Sequence, residues 1–241
     1  MTPFRCTLPF VLSLVGIPLP GLVAQSSPDS TVYRIHPGSR LVVKTGKAGL
    51  FGFAGHTHVI RARAVSGRLV YHPGKPTSYL RLVVPTDSLE VLTPPDTAEI
   101  RKVTKAMRTE VLHPDKHPQM TFAAESLGAR GGRMEIPLAV TLEGVTRTVP
   151  VTADVTIGRD SIRAQGSFSA KQTDFGIKPY SGGGGTVKVA DRVTFCFDLV
   201  AVRGDAEGAG GGQPARSEDA TRVPGCVDKT KAPSDTARRP M

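Results

Sequence analysis

The sequence has no tryptophan and four tyrosines, and aromatic residues make up 5% of its 241 positions. Proteins that hold single-stranded nucleic acid interleave basic residues with stacking aromatics. Here the basic residues are dispersed and no such interleaving occurs, so the formal net charge of +10 does not point to nucleic acid. Nucleophile motifs are lacking too. There is no Gly-x-Ser-x-Gly, no cysteine beside a placed histidine, and no close carboxylate pair in apolar surroundings. Gly182 to Gly185 is not followed by Lys-Ser or Lys-Thr and has no strand-to-helix context, so it reads as a loop near a barrel end, not a phosphate cradle. The residues thus argue for a protein that is not an enzyme.

Long apolar runs are absent except at the N-terminus. Residues 1–24 read as an export signal, with Arg5, an apolar run from Phe10 to Val23 interrupted by Pro18 and Pro20, and the small Ala24 before Gln25. The run is too short and too proline-broken for a spanning helix. An uncleaved N-terminal anchor is the alternative. The mature protein is expected in the periplasm or outside the cell. Residues 204–241 are rich in Gly, Pro, Ala and charge and poor in large apolar side chains, the composition of a disordered tail. That leaves one domain, residues 25–203. Of the 31 Lys and Arg, one falls in the leader and six in the tail; of the 21 Asp and Glu, six fall in the tail. The central domain therefore carries +9, which suggests affinity for anionic surfaces such as membrane headgroups or acidic polymers.

Cysteine is scarce. Cys6 precedes the apolar run, which leaves Cys196 and Cys226 after export. An oxidising compartment permits a disulfide between them, and free or intermolecular thiols are equally compatible.

What the chain does have is alternation with a period of two. From Arg192 to Val202, Val193, Phe195, Phe197, Leu199 and Ala201 share one face and Thr194, Cys196 and Asp198 the other. Leu80, Leu82 and Val84 alternate with Arg81 and Val83. Residues 134–157 read as two strands joined at Glu143-Gly144, with Pro150 suggesting an edge or a bulge. Further strands fit Thr31 to Ile35, Ser39 to Thr45, Val59 to Tyr71 and Ser161 to Ser169. A single helical period appears between Asp96 and Leu112, where Ile100, Val103, Met107 and Val111 recur at steps of three and four. Asp96 is placed to cap it and His113-Pro114 to end it. Eight or nine antiparallel strands with one covering helix predict an all-β fold, a closed barrel that removes exposed strand edges. A barrel of eight strands leaves room for one small ligand. A two-sheet sandwich with a filled core is the alternative.

His56-Thr57-His58 is the tight histidine pair of the sequence. On a strand the two share a face with Ile60, Ala62 and Ala64, while Val59, Arg61 and Arg63 lie opposite. The pair therefore belongs to the apolar, inward side. A zinc site needs three or four ligands, so His56 and His58 alone are short of one, and metal binding or a redox-assisting role stands as the alternative to a polar rim at a cavity mouth. His113 and His117 flank Pro114 and Pro118 and are expected to build a turn.

Four stretches in this order resemble the YceI-like family of exported lipid-binding proteins. They are GRLVY, RTEVLHPDKHPQMTF (Arg108 to Phe122), VTLEGVTRTV (Val140 to Val149), and the long SFSAKQTDFGIKPYSGGGGTVKVADRVTFCF. The resemblance spans Tyr33 to Val202. It implies an eight-stranded antiparallel barrel of lipocalin-like shape with a helix at one end, holding a long isoprenoid chain such as a quinone tail or polyprenyl lipid along its axis. No other cofactor is implied. On that expectation Leu80, Leu82, Phe122, Phe195, Phe197 and Leu199 are candidate lining residues, with ordinary core as the alternative. The family pattern does not require His56-Thr57-His58; with Ile60 the two histidines are candidates on the inward face, meeting a lipid headgroup if they lie at the mouth and hydrogen-bonded within the wall if they lie deeper. Phe175 and Ile177 flank Gly176 in a turn braced by Asp174, where fold-building is weighed above gating of a cavity. The expected partners are an amphiphilic lipid and an anionic membrane surface. A homodimer is compatible with such a barrel, and no strand marks itself as an interface.

Overall fold

The computed structural model describes residues 30–48, 57–92, 97–128, 130–185, 187–204 and Val223. Within them the strands are β1 (Thr31–Ile35), β2 (Arg40–Ala48), β3 (Val59–Ala62), β4 (Ser66–Tyr71), β5 (Ser78–Pro85), β6 (Leu89–Val91), β7 (Gln119–Leu127), β8 (Gly132–Leu142), β9 (Val145–Ile157), β10 (Ser161–Lys171), β11 (Ser181–Gly182) and β12 (Val187–Arg203). Helix α1 (Thr97–Ala106) lies between β6 and β7 and runs on through one wider turn over Met107–Val111. The leader and the proposed cap at Asp96 fall outside the described residues, as does the tail except for Gly204 and Val223.

The strands close on themselves. In order, β1, β4, β5, β7, β8, β9, β10 and β12 each pair antiparallel with the next, and β12 pairs back onto β1. This is the expected eight-stranded antiparallel barrel. Beyond the ring, β2, β3 and β6 extend the wall at one end, with β2 on the N-terminal part of β12. Thus β1 and β2 occupy one strand position, β4 and β3 the next, and β5 and β6 the third, each broken in the middle.

The breaks correct one expectation. Val59 to Tyr71 is not a single strand, because the chain bends between Ala62 and Ser66. Its first half pairs with β2 and β6, its second with β1 and β4's other neighbour β5. Period-two alternation continues on either side of a bend, so it cannot show where a strand stops. Each break is satisfied locally. The His36 amide donates to the Val200 carbonyl at 2.8 Å, and the Val200 amide donates to the Ser39 hydroxyl at 3.0 Å. At the third break the Thr86 amide donates to the Pro118 carbonyl and the Thr86 hydroxyl to the His117 carbonyl. Buried backbone groups are thereby paired even where the ladder stops.

The β8–β9 hairpin turns on Glu143-Gly144 as expected, both residues at positive φ (47° and 75°), as a two-residue loop between twisted strands requires. Pro150 is opposite Pro137 in register. The β9–β10 ladder begins only at Thr152 and the β7–β8 ladder at Leu138, so neither proline interrupts the ladder on its strand's other side. Pro150 therefore lies where β9 pairs with β8 alone, a local edge in a strand that is otherwise internal to the sheet.

The inward faces are those the alternation predicts. Val193, Phe195, Phe197, Leu199 and Ala201 are buried within one apolar cluster with Leu82, Val84 and Phe122. On the outer face, Asp198 is buried too, its side chain 5% exposed. Arg163 grips both of its oxygens at 2.7 Å and Arg40 adds a bond at 3.0 Å. Burial alone would raise the Asp198 carboxyl; the hydrogen bonds and charges of Arg163 and Arg40 hold it below the usual carboxylate range. This clamp ties β10, β12 and β2 together across the outside of the barrel. Nearby, Val223 from the tail packs on Val42 and Cys196, with Val59 beside them. Cys196 is disulfide-bonded; Cys226 lies outside the described residues.

Candidate ligand-binding site

The barrel is hollow. A cavity of about 490 Å³ lies at the end carrying α1, and a second of about 110 Å³ lies toward the opposite end. Leu41 and Phe122 line both, so the two are chambers in series along the barrel. An aromatic waist divides them. Phe168 stacks on Phe195 with centroids 4.7 Å apart, and Phe195 meets Phe122 edge to face at 6.2 Å.

The hollow follows from the broken strands. Helix α1 packs against β6, whose other side has no β7 partner because β7 begins only at Gln119. The wall at that end is thus completed by a helix, which stands farther from its neighbours than a paired strand does. Of the helical stripe read from the sequence, Val103, Met107 and Val111 face the upper chamber and Ile100 does not line it.

Polarity is graded along the axis. The lower chamber is lined almost wholly by apolar side chains such as Leu69, Leu138, Val151 and Ile162. The upper one gathers His58, Glu99, Lys102, Gln172, Tyr180 and Lys188 among its apolar lining. His58 is half-buried there, anchored where the β2–β3 ladder runs out: its amide donates to the Thr45 hydroxyl at 3.0 Å and its carbonyl accepts from the Thr45 amide at 2.9 Å.

The segment after β10 closes part of the same end. Asp191 accepts from the Thr173 amide at 2.9 Å and from the Thr173 hydroxyl at 2.8 Å, pinning the turn over Gln172–Phe175. These bonds, led by the one from the Thr173 amide, hold the Asp191 carboxyl below the usual range. Gln172 donates from its amide nitrogen to the Ala190 carbonyl at 2.9 Å. Gly176, at φ 74°, then redirects the chain, and Ile177 reaches the upper chamber.

The candidates read from the sequence sort clearly. Ile60, Ile177 and Phe195 line the upper chamber with His58; Leu80, Leu82, Phe197 and Leu199 line the lower one; Phe122 lines both. Phe175 lines neither. It is 1% exposed and serves as packing beneath its turn. His56 lies outside the described residues. Sequence reading missed Leu41 and Val43, which alternation along β2 could have supplied, and the mouth groups Lys102, Tyr180 and Lys188, which carry no local signal. Among the described residues no three His, Cys, Asp or Glu side chains are gathered as metal ligands.

A model of the YceI-like domain matches residues 33–201. Comparison with the curated proteins returned no match. Among solved structures, the chain is similar to BcnA of Burkholderia cenocepacia, at 18% identity and a TM-score of 0.53, covering 68% of this chain and 96% of that one. It is also similar to a polyisoprenoid-binding domain from Saccharophagus degradans implicated in plant cell wall breakdown, at 16% identity and a TM-score of 0.52, covering 72% and 98%. At these identities the likeness is one of fold.

Proposed function

The chain belongs to the YceI-like family, and on that premise we propose that its barrel binds a long-chain isoprenoid-type lipid, a quinone or polyprenyl compound, without catalysis. The observation that carries the reading is the polarity gradient through two chambers in series. An amphiphile fits it with its chain directed past Phe122 and its polar head beside His58, Lys102, Tyr180 and Lys188. Each buried methylene contributes about 0.8 kcal/mol, so affinity rises with chain length until the chambers are full. The polyisoprenoid-binding relative supports the same ligand class. Export through residues 1–24 belongs to this reading, since it places the barrel where membrane lipids are its neighbours.

The test is extraction of purified protein with organic solvent, followed by mass spectrometry and titration with quinones and polyprenyl lipids. A released long-chain lipid and saturable binding that strengthens with chain length are expected. No lipid together with no saturable binding overturns the proposal.

A further inference from the structure

Arg34, Arg68 and Arg81 stand side by side on β1, β4 and β5, in one unbroken register row: Arg34 is opposite Arg68, and Arg68 is opposite Arg81. All three are exposed on the outside of the barrel. Adjacent strands are about 4.8 Å apart, so the three Cα atoms fall within about 10 Å. Like charges directly opposite one another destabilise a sheet. Among the described residues none of the three makes an ion pair with a carboxylate. Arg68 donates to the Tyr79 hydroxyl at 2.9 Å, which leaves its charge uncompensated. The carboxylate nearest in register, Glu125, is two positions along from Ala123, the partner of Arg81, and forms no ion pair with them. Elsewhere on the same wall the fold neutralises its arginines, as in Arg40 and Arg163 with Asp198 and Arg61 with Glu90. The row is therefore a cost to folding that nothing inside the barrel offsets.

The neighbouring row has its own departure. Val32, Val70 and Tyr79 face one another on the same three strands. Val32 is 40% exposed and Tyr79 38%, the exposed large hydrophobics among the described residues. Arginine beside exposed tyrosine and aliphatic surface is the chemistry of a lipid interface, where cations meet headgroup phosphates and amphipathic side chains enter the boundary layer. A soluble acidic polymer would use the arginines and leave Val32 and Tyr79 wet.

We propose that the outer face of β1, β4 and β5 docks on a negatively charged phospholipid surface through Arg34, Arg68 and Arg81, with Val32 and Tyr79 seated in the interface. The residues at the mouth of the upper chamber lie on other elements, so docking leaves the mouth free. This surface stands independently of what the chambers hold.

The experiment is co-sedimentation of the mature protein with phosphatidylcholine vesicles, with and without phosphatidylglycerol, over a range of salt. Binding is expected only with phosphatidylglycerol and is expected to weaken as salt rises. Each of Arg34→Gln, Arg68→Gln and Arg81→Gln should lower partitioning about five-fold, and the triple variant about a hundred-fold. Val32→Ser with Tyr79→Ser should weaken binding at every salt concentration. Arg133→Gln, which lies opposite Asp154 on another face, should leave binding unchanged. The triple variant should melt no lower than the parent, since it relieves repulsion and removes no ion pair; its lipid content on extraction should be the same. Undiminished vesicle binding by the triple variant overturns the proposal. So does binding of soluble polyglutamate with the same arginine dependence and no contribution from Val32 and Tyr79.

Discussion

Phe168 and Phe195 face each other across β10 and β12, directly in register, with rings 4° from parallel and 4.7 Å apart. With Phe122, which meets Phe195 edge to face, they stand between the two chambers, where a chain entering from the helix end would pass them to reach the lower one. Phe122→Leu should open this waist and shift preference toward longer chains. Competition among isoprenoids of graded length measures it. A loss of affinity equal at every length would show that Phe122 packs the wall without limiting the ligand. Phe122→Ala should behave likewise with a stability cost of about 3–5 kcal/mol.

Asp198→Asn removes the charge that Arg163 and Arg40 share. Both arginines keep partial access to solvent, so the expected loss is about 2 kcal/mol, below that of a fully buried pair. Because the folded-state carboxyl is held below its ordinary value, its stabilisation is complete above the unfolded value near about pH 4 and is lost as pH falls through the folded one. Urea melts of parent and variant should therefore differ at neutral pH and converge in acid. A constant difference down the acid range would count against the clamp.

Gly166 is in β10 opposite Phe197. A Cβ there would lie 2.5 Å from the Thr152 carbonyl oxygen and 2.7 Å from the tip of the Phe197 ring. Phe197 lies over this gap as part of the lower chamber's lining. Gly166→Ala should destabilise the barrel by about 1–3 kcal/mol by forcing the ring or the strand aside. Thermal melts check this, and an unchanged midpoint would mean that both the Phe197 ring and the Thr152 backbone give way without cost.

Cys196 is disulfide-bonded and buried with Val42 beneath Val223. Of the other two cysteines, Cys6 lies in the stretch read as a leader, which leaves Cys226, and peptide mapping without reductant should recover a 196–226 link. Recovery of Cys226 alkylated as a free thiol would exclude it. Reduction should lower stability by about 2–4 kcal/mol and free Val223 from the wall.

The inward faces of β5 and β12 were legible because side chains alternate strictly along a strand, and Leu82, Phe195 and Phe197 follow that rule to the residue. The two-residue turn at Glu143-Gly144 and the stripe of α1 were legible for the same reason, being set by neighbours three or four positions away at most. The bend inside Val59–Tyr71 was not, since it depends on Ser88 and on strands that pair with each half separately. The mouth was not either: Lys102 and Lys188 meet there from distant parts of the chain.

By itself the sequence determined which residues turn inward, that the strands outnumber the helix, and the order of motifs that marks the family. These are short-range properties of pattern and turn chemistry. Only the tertiary structure decided that the barrel is hollow rather than filled, that His58 sits at the polar mouth, that Phe175 packs outside the cavities, and that Arg34, Arg68 and Arg81 form one row. Each of those depends on register between strands far apart in sequence. A cavity is a sum over all the walls at once, and no single strand carries it.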